Sequence, residues 1–501
     1  MKNFKVLLSR ELQSQLKSFS FAVMIPVALV VSLLVSNLQL NSYKDRRRVY
    51  DEQQQQSREQ LDNVYFYSQL KVDVYMPPTV LSVFAKGLDE SIGNKITVSA
   101  LDVPELQTTS QRGNAFIRLF NSIDISGIVK ILSIFIVLMA ACPIAQDREE
   151  GTGKLTFANS IGFLEYYLSK YAALMVVAAM MVAVTFLVPV AWMIFDPQVG
   201  LSAATVGSIL LMMLSGILYL SVFVLISLAI SAASPKISVA TLTSLMVWVT
   251  LVYIYPFTVN SVIDKTITVP SDKSVKEQLD KMDNDLEREF FLYVKEHNMF
   301  EYGSSICHSI SLNYHLISEQ RVALKEHFEQ TKKGQDFLLP KISDLINQTI
   351  SIRENQKSQQ LRKKRLFDRF MFFIPDQIYQ TLCEQAAGTC YEYREKQFTE
   401  KARIYRSTLT DYIQSKNGFS NTFFTQMPES EMRNSYEEYS QADIDRYCKL
   451  ENLTKINSSE IPQFNMPRRP VNVATWAGLL LLNLIFGSLS IWIYHRFLSF
   501  K

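Results

Sequence analysis

Charge is missing where a water-soluble protein would carry it. Charged residues make up 20% of the 501, yet 19–40, 128–145, 168–195, 203–233, 237–258 and 472–494 hold almost none. Each stretch approaches or exceeds the roughly 20 residues needed to cross a hydrocarbon core. Histidine and cysteine are equally scarce, at five each. No Ser/His/Asp or Cys/His arrangement has recognisable local sequence, so nucleophilic catalysis has no residues to stand on. Cys307, His308, His315 and Glu319 lie close together, but a metal centre wants three or four ligands at settled spacing, and a solvated helix surface is the better reading. Glycine-rich loops are absent too. Gly151-Thr152-Gly153-Lys154 superficially resembles a phosphate loop, which requires Gly, four residues, then Gly-Lys-Ser/Thr after a strand. Here Arg148 and Leu155 occupy the required positions and an apolar span precedes, so the chain is not expected to hydrolyse ATP. A formal net charge of +3 gives no sign of a nucleic-acid partner.

What is present is a polytopic α-helical membrane protein with six expected spans: 19–40, 126–145, 168–195, 203–233, 237–258 and 472–494. The basic residues ahead of the first span suggest a signal peptide. Its apolar run is too long for one and no small-x-small cleavage site follows, so a retained anchor is expected. Residues 1–18 place Phe4, Leu8, Leu12 and Leu16 on one face, with Leu7 and Glu11 at helical spacing beside them. That pattern predicts an amphipathic helix lying at the membrane surface. Residues 41–125 read as a small α+β insertion: a helix-permissive Gln/Arg/Glu run over Tyr43–Lys71, then a strand-like alternation from Lys95 to Val103. Residues 259–470 read as a large helical insertion, with helices expected over Gln278–His297, Ile317–Thr331, Ile342–Phe373 and Tyr391–Gln414. Cys383 and Cys390 are the pair closest in sequence for a disulfide if that insertion lies outside the cell; reduced thiols are the alternative.

Placing both termini in the cytoplasm puts Lys2, Lys5, Arg10, Lys17, Arg148, Lys154, Lys236, Arg496 and Lys501 on one side, as the positive-inside rule asks. Lys44-Asp45-Arg46-Arg47-Arg48 alone conflicts, and both insertions fall on the outer face. Within the spans, Lys130 and Lys170 are expected to snorkel toward the nearer surface. No Asp, Glu or His lies at mid-span, which disfavours a proton- or ion-coupled carrier. Small residues and methionines (Ala178, Gly216, Met181, Met212) suit close helix packing or a pliable apolar lining. The charged run 146–167 is left as a cytoplasmic turn between the second and third spans.

That turn carries a resemblance. Asp147-Arg148-Glu149-Glu150-Gly151-Thr152-Gly153-Lys154-Leu155, followed by Tyr167-Leu168-Ser169-Lys170-Tyr171, resembles the permease subunits of type-2 ABC exporters. Ile374-Pro375-Asp376-Gln377, Ala386-Ala387-Gly388-Thr389, Tyr393, Phe398 and Tyr405-Arg406 resemble a subgroup with a large external insertion between spans 5 and 6. This chain has Ile where that subgroup has Ser before the proline, and Cys390 where it has Asp. The resemblance implies a permease pairing with a second permease, identical or related, and with a separate ABC ATPase. That partner would bind the ATP and magnesium; this chain would hold no cofactor. It also implies a bacterial inner-membrane location, periplasmic insertions, and outward movement of a lipid, peptide or other amphipathic substrate. Arg148, Glu149, Glu150, Gly151, Thr152 and Lys154 would form the ATPase-coupling surface, the charged residues among them offering rim ion pairs. A membrane-anchored external scaffold or signalling protein, whose helical insertion captures a partner protein, is the alternative reading.

Overall fold

The computed structural model describes residues 2–87, 89, 93–106, 123–158, 161–197, 199–299, 324–371, 374–467 and 473–497. Among them six helices are long and apolar enough to cross a membrane, so the all-α polytopic class holds. The short helix α1 (Lys2–Leu16) leads through Ser18 into α2 (Phe19–Leu61). Ser18 Oγ accepts from Phe21 N at 3.2 Å and caps one of the orphan amides of the new helix. The helix that holds the first span therefore does not stop near residue 40. It continues as one helix of 43 residues, roughly 64 Å at ~1.5 Å per residue. Gln, Arg and Glu are strong helix formers, and the i,i+4 pairs Arg47–Asp51 (3.1 Å) and Arg48–Glu52 (3.6 Å) support the extension.

The second span, α3 (Ile125–Ala141), is capped by Asp124, whose Oδ1 accepts from Gly127 N at 2.7 Å. Two short helices follow, α4 (Pro143–Glu149) and α5 (Thr152–Ala158), so the expected turn is itself helical. The third and fourth spans are α6 (Phe163–Phe195) and α7 (Ala203–Ala233). The fifth runs through α8 (Ile237–Val249), a π-turn over Thr250–Ile254, and α9 (Tyr255–Thr266). Pro256 lacks the amide that would continue the α-ladder, which accounts for a wide turn at that place. Aromatic and aliphatic side chains fill the bundle; Phe84 from the first insertion stacks on Phe186 of α6 at 5.6 Å.

The two insertions do not fold separately. The strands β1 (Val72–Tyr75) and β2 (Lys95–Val98) pair antiparallel, Val72 opposite Val98. Their inward Ile96 and Val98 share one apolar core with α10 (Asp272–Glu296), α11 (Lys325–Met371) and α13 (Phe398–Ser415). The helices over 278–297 and 342–373 thus appear as expected but starting earlier, and 325–331 of the helix expected over 317–331 is the first part of α11; residues 317–323 lie outside the described residues, as do Cys307, His308, His315 and Glu319. The stretch expected as one helix from Tyr391 opens with a π-turn over Glu392–Gln397. Beyond α13 come α14 (Gln441–Cys448) and, last, the sixth span α15 (Val473–Phe497).

One segment sits elsewhere than expected. α12 (Pro375–Ala387) falls inside the stretch read as external, yet it packs among the spans. Tyr379 stacks on Tyr219 of α7 with ring centroids 4.9 Å apart, and Ile378 and Leu382 meet Val222, Leu479 and Leu482. At 13 residues it is too short for a hydropathy window to read as a span. Cys383 and Cys390 are separate thiols in this arrangement. Cys383 is buried with its Sγ 3.8 Å from Ser215 Oγ of α7, and the left-handed Gly388 (φ +71) turns the chain before Cys390.

The resemblance motif after α12 forms the seam between the insertions. Thr389 Oγ1 donates to Ala85 O at 2.9 Å and Arg406 Nη1 to Ala100 O at 3.0 Å, while Tyr405 Oη donates within the large insertion, to Pro462 O at 2.7 Å. Burial pushes the Tyr405 phenol up to about 12, so it remains a donor at any physiological pH. Buried Arg394 pairs with buried Asp89, which Arg46 of α2 also grips. Gly87 makes this seam possible: its φ is +49, and a Cβ there would lie 2.7 Å from Thr389 O. Gly87→Ala should therefore cost about 1–3 kcal/mol, read as a lower unfolding midpoint of the detergent-solubilised chain. Gly207→Ala, with nothing within 4 Å of the added carbon, should leave the midpoint unchanged or raise it.

Candidate coupling site at the short-loop end

Helices α1, α4 and α5 gather at one end of the bundle, where α7 and α15 finish and α8 begins. Pro143 opens α4 at a position whose amide would be unsatisfied anyway. The free amides of Ile144 and Ala145 instead find Ser231 Oγ of α7, at 3.3 and 2.9 Å. Gly151, at φ +74 with open space around it, breaks α4 from α5.

Lys170 is the centre of the assembly. It does not snorkel: its side chain is 2% exposed. Its Nζ lies 2.8 Å from Glu11 Oε1 of α1, 2.8 Å from Asp147 Oδ2 of α4, and 3.2 Å from Pro143 O. Those three partners match the three donors of an ammonium group, and the Tyr166 ring stands 4.8 Å from the same nitrogen. Asp147 is equally occupied. Tyr166 Oη donates to its Oδ2 and Thr152 Oγ1 to its Oδ1, the latter at 2.9 Å. One buried ion cluster thus joins α1, α4, α5 and α6.

The next two residues of the motif address helix ends. Arg148 donates to Ala232 O (2.7 Å) and Ser234 O (2.9 Å) at the end of α7, and to Phe497 O (3.0 Å) at the end of α15. Its positive charge sits against carbonyls that have no intrahelical partner and against the negative ends of two helix dipoles. Glu149 Oε2 accepts from Ile237 N at 2.9 Å, at the positive start of α8. Glu150 is exposed and bonds only within its helix, accepting from Gln146 Nε2 at 2.8 Å. The side chain of Lys154 lies outside the described residues.

Among the expected coupling residues, Arg148 and Thr152 are half-buried, while Glu149, Glu150 and Gly151 are exposed. The Arg148 and Glu149 side chains are already engaged by the ends of three spans, α7, α15 and α8. Lys170, Asp147, Glu11 and Tyr166 were not among the expected site residues. The signal for them was available: Glu11 interrupts the apolar face of an amphipathic helix, and Lys170 stands alone in an apolar span. Each carried an unexplained charge.

Breaking this cluster from one side should be costly, because loss of one partner leaves buried charge unopposed. Lys170→Met is expected to destabilise the chain by about 3–5 kcal/mol, seen as a marked drop in unfolding midpoint. Combining it with Glu11→Gln and Asp147→Asn should recover much of the loss. An unchanged midpoint in the single variant would mean that Lys170 holds nothing together.

A family described as "ABC-2 family transporter protein" matches residues 19–388. The matched region starts at the first residue of α2 and ends at Gly388, taking in five spans, α12 and the Lys170, Asp147 and Tyr166 members of the cluster, but not Glu11 of α1. No curated protein and no solved structure matches the chain. The chain belongs to the ABC-2 family, as a membrane-spanning permease of an ABC transporter.

Proposed function

We propose that this permease is the membrane half of an ATP-driven exporter, taking its energy from a separate ATPase subunit that docks on α4, α5 and α1. ATP and its magnesium are held by that partner. A second permease, identical or related, completes the assembly, and the cargo is a lipid, peptide or other amphipathic molecule moved outward. The observation that carries this reading is the Lys170 cluster: an element pressing on α4 cannot shift it without shifting α1 and the third span. Arg148 and Glu149 extend the same grip to α7, α15 and α8. Such a lever has a use only if something pushes it.

Orientation follows from charge. With the termini in the cytoplasm of a bacterial inner membrane, both insertions are periplasmic and Lys44–Arg48 must be translocated. Each base in that run already has a carboxylate: Lys44 with Asp196, Arg46 with Asp89, Arg47 with Asp51 and Arg48 with Glu52. The run opens a long insertion, and long loops translocate largely regardless of their charge.

The test uses Glu150, the exposed motif acid whose hydrogen bond stays within its own helix. Glu150→Lys, co-expressed with its ABC ATPase partner, is expected to cut co-purification at least tenfold while membrane insertion and unfolding midpoint stay unchanged. A complex that survives the charge reversal would remove the docking role from this turn. Capture of a periplasmic protein with no ATPase would favour the scaffold reading instead.

A further inference from the structure

The position of α12 has no part in coupling, yet it is the least expected feature of the bundle. Its flanks are chemically different. Ile378 and Leu382 face Val222, Leu479 and Leu482 in an ordinary apolar contact. Asp376, Gln380 and Glu384 recur every four residues and so form one stripe along the helix. Lys130, in the second span, reaches that stripe: its Nζ is 3.3 Å from Asp376 Oδ2 and 2.5 Å from Gln380 Oε1. Gln380 Nε2 in turn donates to Glu384 Oε1 at 2.8 Å. Asp376 Oδ1 is buried and has no hydrogen-bond partner.

A permanently packed element would gain more from an apolar face there. Ionisable groups at membrane depth are expensive and mark water-lined routes, and a half-satisfied polar network is less favourable than either a complete one or none. The helix is bounded at one end by Pro375 and at the other by Gly388 in the left-handed region. Both ends can therefore turn without breaking a continuous helix.

We infer that α12 is a movable wall of the export route: Lys130, Asp376, Gln380 and Glu384 line it, and the Lys130–Asp376 pair latches it shut. The route at this level takes cargo with polar or charged groups past a mixed-charge surface, while the apolar face of α12 keeps contact with α7 and α15. The export part of this inference rests on the reading given under Proposed function; the latch does not.

Native Cys383 reports the movement, since it lies on α12, is fully buried and sits beside Ser215. The full chain is prepared in phosphatidylcholine nanodiscs with Cys142, Cys307, Cys390 and Cys448 replaced by serine or alanine, and Cys383 is labelled with a small water-soluble maleimide. Without any ATPase, Asp376→Asn and Lys130→Gln are each expected to raise the labelling rate about a hundredfold, the factor implied by loss of one member of a buried pair. The exchanged pair Lys130→Asp with Asp376→Lys should return it toward the starting rate, which a general loosening of the fold would not allow. Unchanged labelling in both single variants, or no recovery on exchange, overturns the latch.

The second arm uses the complex with its ATPase, trapped with ATP and vanadate. Faster labelling of Cys383 than in the nucleotide-free complex is expected. If the complex forms but labelling does not change, α12 is no part of the transport cycle and the moving wall is overturned. If no complex forms, the exporter reading fails while the first arm still decides the latch.

Discussion

A single buried ammonium group, held by two half-buried carboxylates, fixes the short-loop end of this protein. Lys170 satisfies Glu11, Asp147 and a backbone carbonyl at once. The two acids come from different helices, Asp147 from the segment leading into the third span and Glu11 from the far N-terminal end of the chain. Remove the lysine and α1 has no polar reason to lie against α6, and α4 loses its fixed angle. The surrounding bonds are subordinate. Arg148 can cap α7 and α15, and Glu149 can cap α8, only because Asp147 has already set the orientation of the helix that carries all three.

The opposite end is organised by a different constraint, continuity of the first helix. α2 leaves the bundle as a rigid rod and carries Arg46 to Asp89, which also receives Arg394 from the far side of the large insertion. Both insertions then close on one apolar core. The domain built from the two insertions is thus assembled from pieces far apart in sequence and is tethered to the apolar bundle through helices rather than loops. The third span packs against the first, and α2 runs as one helix from that contact into the domain of the two insertions, with Pro26 as a missing donor in its ladder.

Six spans, their approximate limits and the helical nature of the insertions were legible in the sequence, because hydropathy and helical periodicity are local signals. The charged turn at 147–155 was legible by resemblance. What could not be read was partnership. Arg148 and Glu149 look like surface charges in a hydrophilic decapeptide, and only the folded chain reveals that the ends of α7, α8 and α15 converge there. α12 was hidden for another reason: its apolar residues are few, and its stripe of Asp376, Gln380 and Glu384 makes it look like any exposed helix of the insertion. The pairing of β1 and β2 with helices 300 residues downstream is likewise a matter of long-range packing, to which periodicity is blind.

The two lysines in the apolar spans show how the same residue type marks both ends of the bundle. Snorkelling explains an isolated lysine near a membrane surface, but it predicts a solvated nitrogen. Lys130 and Lys170 instead find carboxylates 246 and 159 residues away. In each case the acid arrives on an element that is not itself a span: α1 and α4 for Lys170, α12 for Lys130. A buried cation in an apolar helix is tolerable only when an anion is delivered to it, so each lysine demands that its accessory helix be docked. The cost is asymmetric. Lys170 has all its donors satisfied and its carboxylate Asp147 is saturated, so opening that contact would leave buried charge unopposed. Asp376 keeps one buried oxygen unpaired, which leaves the Lys130 contact the weaker of the two. If strain enters the bundle at the short-loop end, the contact that yields is the incomplete one, at the far end.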